Sequence, residues 1–458
     1  MSNSGTGHNP LRVAIVGSGP SGFYATEALF KSGLTVQVTM LERLPSPFGL
    51  VRSGVAPDHQ KLKQAIKLYE KIAQNDGFTF LGNVTVGKDL TVDELKQNYH
   101  AVIFTCGAES DRKLGIPGEE LKGSHTATEF VGWYNGHPDY RDREFDLSHP
   151  NAVIIGQGNV AADVSRILSK TVDELKHTDI AQHALDVLAE SRVSDIYVIG
   201  RRGPAQAKFT PKELREFGEL ANCDPVVNPD DLKLNAASQA ELEDKANAGN
   251  AKVYQLFRDF SERKSGSKQR RCHFMFLLSP KALIGDNRLQ KLVLEINILS
   301  GDAFNQSARG TGETIELETG ILFRSIGYRG VPIPGVPFDD KRGIIPNTDG
   351  RVTESGKFMS QLYTAGWIKR GPTGIIGTNR ADSVATVNAL LEDIQQNSTK
   401  DGKAGVEGLI PLLQAKNIRY VTYPDWGKID TAEINAGKKK NKPREKFTRV
   451  KEMLGLLD

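Results

Sequence analysis

Hydrophobic residues along the chain alternate between two rhythms. Short apolar runs, such as "RVAIV" at 12–16 and "LTVQVTML" at 34–41, have the length and β-branched content of strands. Between them lie stretches such as "FYATEALFKSG" at 23–33, where apolar positions recur every three or four residues and the run stops at Gly33, a residue suited to a helix C-terminus. The alternation runs from residue 11 to about 110, again from about 150 to 210, and again from about 315 to 395. It predicts an α/β architecture of parallel sheets joined by crossover helices.

The rhythm breaks in defined places. Residues 169–192 read as extra helix. Segment 221–268 is polar and rich in Ala, Asn, Asp and Lys, which predicts loops and exposed helix outside the second unit. Segment 298–314, "ILSGDAFNQSARGTGET", reads as a turn-rich connection within an antiparallel β region. The late run "GKKKNKPREKFTRVK" reads as a solvated surface segment. The opening "MSNSGTGHNP" has neither an apolar core nor an Arg-rich amphipathic stretch and is expected to be a free tail on a cytoplasmic protein.

Composition narrows the function classes. A chain of 458 residues is too long for one simple core. A net charge of +3 gives no bulk argument for a nucleic-acid partner. No run of about 18 apolar residues occurs, so no membrane span is expected. Cys106, Cys223 and Cys272 are scattered without a CxxC pair, which argues against a disulfide scaffold, a zinc site or a redox dithiol, and for a reducing compartment. No metal is expected.

Two glycine-rich turns carry the chemistry. The strand at 12–16 runs into "GSGPSG", with Gly17, Gly19 and Gly22 at the GxGxxG spacing, then a helix, then a strand ending at Glu42. Glycines at these positions permit a tight turn and close approach of backbone to a pyrophosphate, and the helix start offers free N–H groups. Glu42 can accept hydrogen bonds from a ribose diol and repels a 2′-phosphate, so this turn suits FAD or NAD rather than NADP. The pattern returns at Gly156, Gly158 and Ala161, but the matching strand, "DIYVIG" at 195–200, ends in Arg201 and Arg202. Their forked donors match a 2′-phosphate. Opposite charges at the two ribose positions suggest a resident, non-covalently bound FAD and an exchanging NADP(H), hence hydride transfer between nicotinamide and flavin.

The stretches "GSGPSGFY", "PFGLVRSGVAPDHQ", "GQGNVAADVSR", "GRRGPAQAKFTPKELRE", "SIGYRGVPIPGVPFD", "GWIKRGPTGIIGTNR" and "PDWGKID…KPREK" together resemble the adrenodoxin reductase family of ferredoxin–NADP reductases, which includes the FprA-type enzymes. The resemblance covers nearly the whole chain. It implies two Rossmann-like dinucleotide-binding domains, with an NADP domain at 109–331 inserted into a discontinuous FAD domain at 1–108 and 332–458. For FAD it points to Ser21, Glu42, Leu50, Val86, Trp367 and Gly374, Ile375 and Ile376. For NADP it points to Gln157, Gly158, Asn159, Val160, Arg201, Arg202, Glu213 and Gly374. Gly374 would let the nicotinamide come close to the flavin, and the helix after "RGPTGIIGT" would aim its N-terminus at the flavin ring. His59 and Glu216 are expected to form a polar pair near the nicotinamide. The resemblance further implies single-electron delivery to a ferredoxin-like iron–sulfur protein, commonly acidic, and the run "ERKSGSKQRR" offers Lys264, Lys268, Arg270 and Arg271 as its dock. The alternative class is a flavin- and NADPH-dependent monooxygenase or other small-molecule flavin dehydrogenase.

Overall fold

The computed structural model describes Gly5 and residues 9–264, 266–396 and 402–458, so most of the expected N-terminal tail lies outside the described residues. Two sheets organise the chain. The first has seven strands in the spatial order Asn347–Thr348, Arg351–Glu354, Lys357–Thr364, Ala101–Phe104, Leu11–Val16, Val36–Leu41 and Phe78–Leu81. Its core is parallel, with Val13 facing Val38 on one side and Ala101 on the other. Lys357–Thr364 continues the parallel set, and Arg351–Glu354 turns back antiparallel at the edge. The chain leaves this sheet after Phe104 and rejoins it at Asn347, so both ends of the sequence build it.

The second sheet has six strands, in the order Ser124–Thr126, Ile321–Arg324, Asn151–Ile155, Asp195–Ile199, Arg270–Met275 and Cys223–Val227, all parallel to their neighbours. A parallel sheet covered on both faces needs apolar residues on both, which explains runs such as "NAVII". Ser110–Asp111 pairs antiparallel with Tyr328–Arg329 where the chain passes out of and back into the first sheet's territory.

The polar segment 221–268 holds more order than its composition suggests. Cys223–Val227 is an edge strand, and its Pro225 is tolerated there because an edge leaves one side of the ladder unpaired. Helix Ala248–Ser261 buries Val253, Phe257 and Phe260 in the core of the second unit. The antiparallel region is a three-stranded sheet of Leu278–Ile284, Lys291–Ser300 and Ser307–Glu318, so only residues 301–306 turn. Ser307–Glu318 is exposed along most of its length, and that polarity hid it as a strand. The first helix, Pro20–Phe30, stops short of Gly33, which sits at φ +81° in the following turn.

The basic run near the C-terminus is solvated only in part: Lys438, Lys439, Lys440, Arg449 and Lys451 are exposed, but Lys442, Arg444 and Lys446 turn inward. Lys446 is buried and donates to the carbonyls of Arg52 (3.0 Å) and Asn135 (3.1 Å), with Asp179 at 3.1 Å. Lys63 holds the same Asp179 at 2.7 Å, and Gln60 donates to it at 2.9 Å. Lys442 reaches the Ile180 carbonyl at 2.6 Å. Arg444 pairs with Asp430 and Glu433, and Glu433 also takes Arg52 through two bonds of 2.8 and 2.5 Å. Lys442, Arg444 and Lys446 are thus committed to interior carboxylates and carbonyls. They strap the C-terminus across residues from both sheets.

One carboxylate thus serves two buried lysines, whose pKa values burial still lowers. Asp179→Ala leaves both unpaired out of water, and a loss of about 3–5 kcal/mol of stability is expected. The check is a lowered midpoint in urea and thermal unfolding, with Asp179→Asn falling between this variant and the native protein.

Candidate functional site

The two glycine turns are built alike. Gly17, at φ +105°, has no room for a side chain: a Cβ would lie 2.7 Å from the Thr105 carbonyl oxygen, at the end of the neighbouring strand. Gly156, at φ +132°, has the same problem with Ser325, whose carbonyl oxygen would be 2.2 Å away. At the next glycine the situation reverses. Nothing lies within 4 Å of where a Cβ would stand on Gly19 or Gly158. These residues N-cap helices Pro20–Phe30 and Asn159–Ser169 without any side-chain cap, so the first N–H groups of both helices remain available. A cradle closed from behind and open in front, with bare helix N–H groups, fits a pyrophosphate at each turn.

Both turns open into one cavity of about 2180 Å³. A single small-molecule site spans roughly 300–1,000 Å³, so this space admits two dinucleotides. Glu42 lines it from the first turn. Ser18 donates to Glu42 Oε2 through its amide (3.1 Å) and hydroxyl (2.6 Å), and the Leu44 amide donates to Oε1 at 3.1 Å. The carboxylate is held in place with acceptor capacity to spare. Arg201 and Arg202 line the cavity beyond the second turn, and neither guanidinium has a hydrogen bond or ion pair among the described residues. Gln157 donates from Nε2 to the Met275 carbonyl at 2.9 Å, and Asn159 Oδ1 accepts from the Thr210 amide at 2.8 Å. Val160 packs partly into the core beside them.

The remaining expected positions divide by how they face the space. Leu50 (42 % exposed) and Ile375 (63 % exposed) present apolar surface on its wall, with Val86 and Ile376 deeper. Trp367 stacks on Tyr328, with ring centroids 5.6 Å apart and planes at 19°. Ser21 also lines the cavity, and its hydroxyl donates to Asn379 Oδ1 at 3.2 Å on helix Thr378–Gln396. Gly374 needs to be glycine for a local reason: φ is +84°, and a Cβ would lie 2.2 Å from Thr378 Oγ1. Gly377 and Asn379, at the start of that helix, also line the cavity.

His59 and Glu216 meet at 2.9 Å, Nε2 to Oε2. Sequence reasoning missed what surrounds them. Arg166, fully buried, donates to Asp58 (2.7 and 3.1 Å), Asp163 (2.6 Å) and Glu213 (3.3 Å), and its Nη2 lies 3.5 Å from His59 Nδ1. Lys170 adds a bond to Asp58 at 2.8 Å. Burial alone would lower the His59 pKa, but the bond to Glu216 and the charges of Glu213 and Asp163 outweigh it and raise the net value. Burial pushes Glu213 and Asp163 up, while Glu216 stays low through His59 and Arg166. The signals were present in the sequence: "PDH" puts Asp58 beside His59, and Asp163 and Arg166 share a helix face at i, i+3. Glu213 belongs to this cluster as well as to the cavity wall.

The site's geometry has counterparts in known proteins. Residues 11–198 match the family profile described as pyridine nucleotide-disulphide oxidoreductase, although all three cysteines here are free. Over 98 % of its length the chain is 43 % identical to NADPH:adrenodoxin oxidoreductase, mitochondrial, of Arabidopsis thaliana, covering 96 % of that relative. It is 44 % identical to NADPH-ferredoxin reductase FprA of Mycobacterium leprae, covering 98 % of each chain. The solved structure of Mycobacterium tuberculosis FprA in complex with NADPH superposes with a TM-score of 0.92 at 43 % identity, covering 98 % of this chain and 99 % of that one. The chain belongs to the adrenodoxin reductase/FprA family.

Three of the four cations of the suggested dock already have partners within the protein. Lys268 donates to the carbonyls of Leu220 (2.5 Å) and Cys223 (3.3 Å), and Arg270 to those of Leu168 (2.7 Å) and Lys170 (2.8 Å). Arg271 forms a two-point pair with Asp195 at 2.6 and 2.7 Å. Lys264 and Arg271 are exposed, the latter within its pair with Asp195, while Lys268 and Arg270 are half-buried. Arg270 and Arg271 also open their strand, and the cavity lies beyond its far end, roughly 15–20 Å away at strand rise.

The His59–Glu216 contact makes a pH prediction. With a folded-state pKa above the ordinary 6.5, the protonated pair stabilises the fold fully below that pH and loses its contribution as pH rises through the raised value. Glu216→Gln removes the largest raising influence, leaving burial and Arg166 to lower the ring's pKa. In NMR titrations the His59 ring should therefore titrate above its ordinary value in the native protein and at lower pH in the variant.

Proposed function

We propose that this chain carries electrons from NADPH, through bound FAD, to a ferredoxin-type iron–sulfur protein. The observation that carries the reading is the charge asymmetry of one cavity: a fixed carboxylate beyond the first glycine turn and two unpaired guanidiniums beyond the second. FAD, when bound, supplies the exchange between the two-electron nicotinamide couple and the one-electron iron–sulfur couple. The chain supplies position and electrostatics. The Gly17–Gly19 backbone and the start of helix Pro20–Phe30 hold one pyrophosphate, and Gly158 with helix Asn159–Ser169 holds the other. Glu42 accepts ribose hydroxyls at the first site and turns a 2′-phosphate away. Arg201 and Arg202 grip that phosphate at the second. Gln157 and Asn159 are tied to Met275 and Thr210, which sets the second turn before a ligand arrives.

Leu50, Ile375 and the Trp367–Tyr328 stack exclude water from the space between the two nucleotides. His59 holds a proton between its Nε2 and Glu216 Oε2, in a cluster where Arg166 balances the surrounding carboxylates. The functional division follows the two sheets, with an NADP unit at 109–331 set into an FAD unit formed by 1–108 and 332–458. An acidic partner approaches the cavity mouth, where Lys61, Lys88 and Arg112 are exposed, rather than the 264–271 loop. No helix among the described residues is long and apolar enough to cross a membrane, and three free thiols suit a reducing compartment such as the cytoplasm.

Anaerobic titration tests the reading. NADPH should bleach the flavin absorbance, and an oxidised ferredoxin should restore it. A flavin that no ferredoxin reoxidises, with NADPH consumption stimulated by a small organic substrate, would favour a monooxygenase. Replacing Arg201 and Arg202 by Ala should raise the Michaelis constant for NADPH about tens- to thousands-fold and leave that for NADH nearly unchanged, two forked phosphate contacts being worth roughly 2–5 kcal/mol. Glu42→Arg should yield colourless protein on purification.

A further inference from the structure

A buried anion without a cationic partner stands behind the arginine turn. Glu241, on helix Ala236–Glu243, is 4 % exposed. Its Oε1 accepts from Gln306 Nε2 (2.7 Å) and the Phe304 amide (2.8 Å), and its Oε2 from Gln206 Nε2 (2.8 Å). Both glutamines also donate to Ser238 Oγ, at 3.1 and 3.0 Å, and Asn235 Nδ2 fixes Gln306 Oε1 at 2.7 Å. Every direct donor is neutral, and Glu241 has no ion pair among the described residues. Burial alone would raise its pKa, yet the bonds from Gln306, Gln206 and Phe304, helped by the field of Arg202, hold it low. An ionised carboxylate caged by neutral donors keeps its full charge, and its field extends past the cage.

The cage ends on the turn that carries the arginines. Gln206 closes the short helix Pro204–Gln206 immediately after Arg201, Arg202 and Gly203, and its amide donates to the Gly203 carbonyl at 3.1 Å. Its Oε1 is buried without a partner among the described residues and stands 3.1 Å from where a Gly203 Cβ would be. From the opposite side, buried Asn297 donates Nδ2 to the Arg201 carbonyl (2.9 Å) and to Ser279 Oγ (2.8 Å). The Leu277 amide takes the Arg202 carbonyl at 3.0 Å, from a residue at φ +54°. The turn's backbone is gripped on both sides, while both guanidiniums stay clear of protein partners.

We propose that Glu241, acting through Gln206, and Asn297, acting through the Arg201 carbonyl, are positioning residues for the 2′-phosphate of NADPH. Glu241 orients Arg202 by through-space attraction from a distance too great for pairing, so the guanidinium is pre-set and still free for the phosphate. The inference rests on the reading of Arg201 and Arg202 as phosphate ligands. It also gives a task to the polar segment 221–268, which holds Glu241, and to the antiparallel sheet, which holds Asn297.

Calorimetric titration of the holoprotein with 2′,5′-ADP and with 5′-AMP separates the possibilities. In Glu241→Gln, affinity for 2′,5′-ADP should fall about 5- to 30-fold, while affinity for 5′-AMP and the flavin content stay within about twofold of native. Gln206→Met, which keeps the volume and cuts the link to the turn, should show the same split, and it decides the matter if the first variant does not fold. Equal loss for both ligands, no loss, or tighter binding of 2′,5′-ADP overturns the proposal; the last would mean that Glu241 merely repels the phosphate. The Arg201→Ala, Arg202→Ala double variant runs alongside. If it loses the preference for 2′,5′-ADP and the Glu241 and Gln206 variants keep it, this inference fails and the phosphate assignment stands. If the double variant keeps the preference, both fail.

Discussion

A side chain on Gly17 would collide with the end of the strand beside it, and one on Gly156 would collide with Ser325. This steric closure at the back of each turn is the constraint from which the rest of the site follows. It forces the backbone to double back within a few residues of a parallel strand's end. The following helix must then start at an uncapped glycine, and its free N–H groups face the crevice beyond the carboxyl ends of the strands. Because the same arrangement occurs in both sheets, both turns open into one crevice with room for two dinucleotides.

With the scaffold duplicated, the two turns differ in the charge that stands one strand further on. Glu42 and the Arg201–Arg202 pair occupy equivalent places and differ only in sign. Each is kept from neutralising itself in a different way. Ser18 and the Leu44 amide hold the carboxylate with neutral donors. The arginines are left bare while their backbone carbonyls are tied to Asn297 and Leu277. A charge paired inside the protein would present little to a ligand, as the 264–271 loop illustrates with its basic heads committed to carbonyls and to Asp195.

These contrasts explain what could be read in the chain. The glycine spacing, the acid and the arginines are local patterns with local physical causes, so both turns and the charges beside them were legible directly. The strand and helix rhythm is equally local, and it fails where a buried strand carries Asp224 and Pro225, as in Cys223–Val227, or where burial is absent, as in Ser307–Glu318. Long-range electrostatics left no such trace. Nothing in "GKKKNKPREKFTRVK" announces that Lys446 will meet Asp179, which lies 267 positions earlier (446 − 179). Arg166 lies inside a recognised motif, yet its role as hub for Asp58, Asp163 and Glu213 depends on three elements converging. Gly374 was readable as a required glycine, but the neighbour that requires it, Thr378, became visible only in three dimensions.

The short ribbon of Ser110–Asp111 against Tyr328–Arg329 gives the molecule a neck. Outgoing and returning chains run side by side there, so the inserted unit begins and ends at one place. Such a unit is a cassette in the evolutionary sense: its helices and hairpins can lengthen, shrink or be replaced while both cut ends stay in register and the host sheet closes as before. Tyr328, one of the neck's own residues, stacks on Trp367 of the host. A cassette exchanged at this point would therefore arrive with one aromatic contact to the recipient already in place.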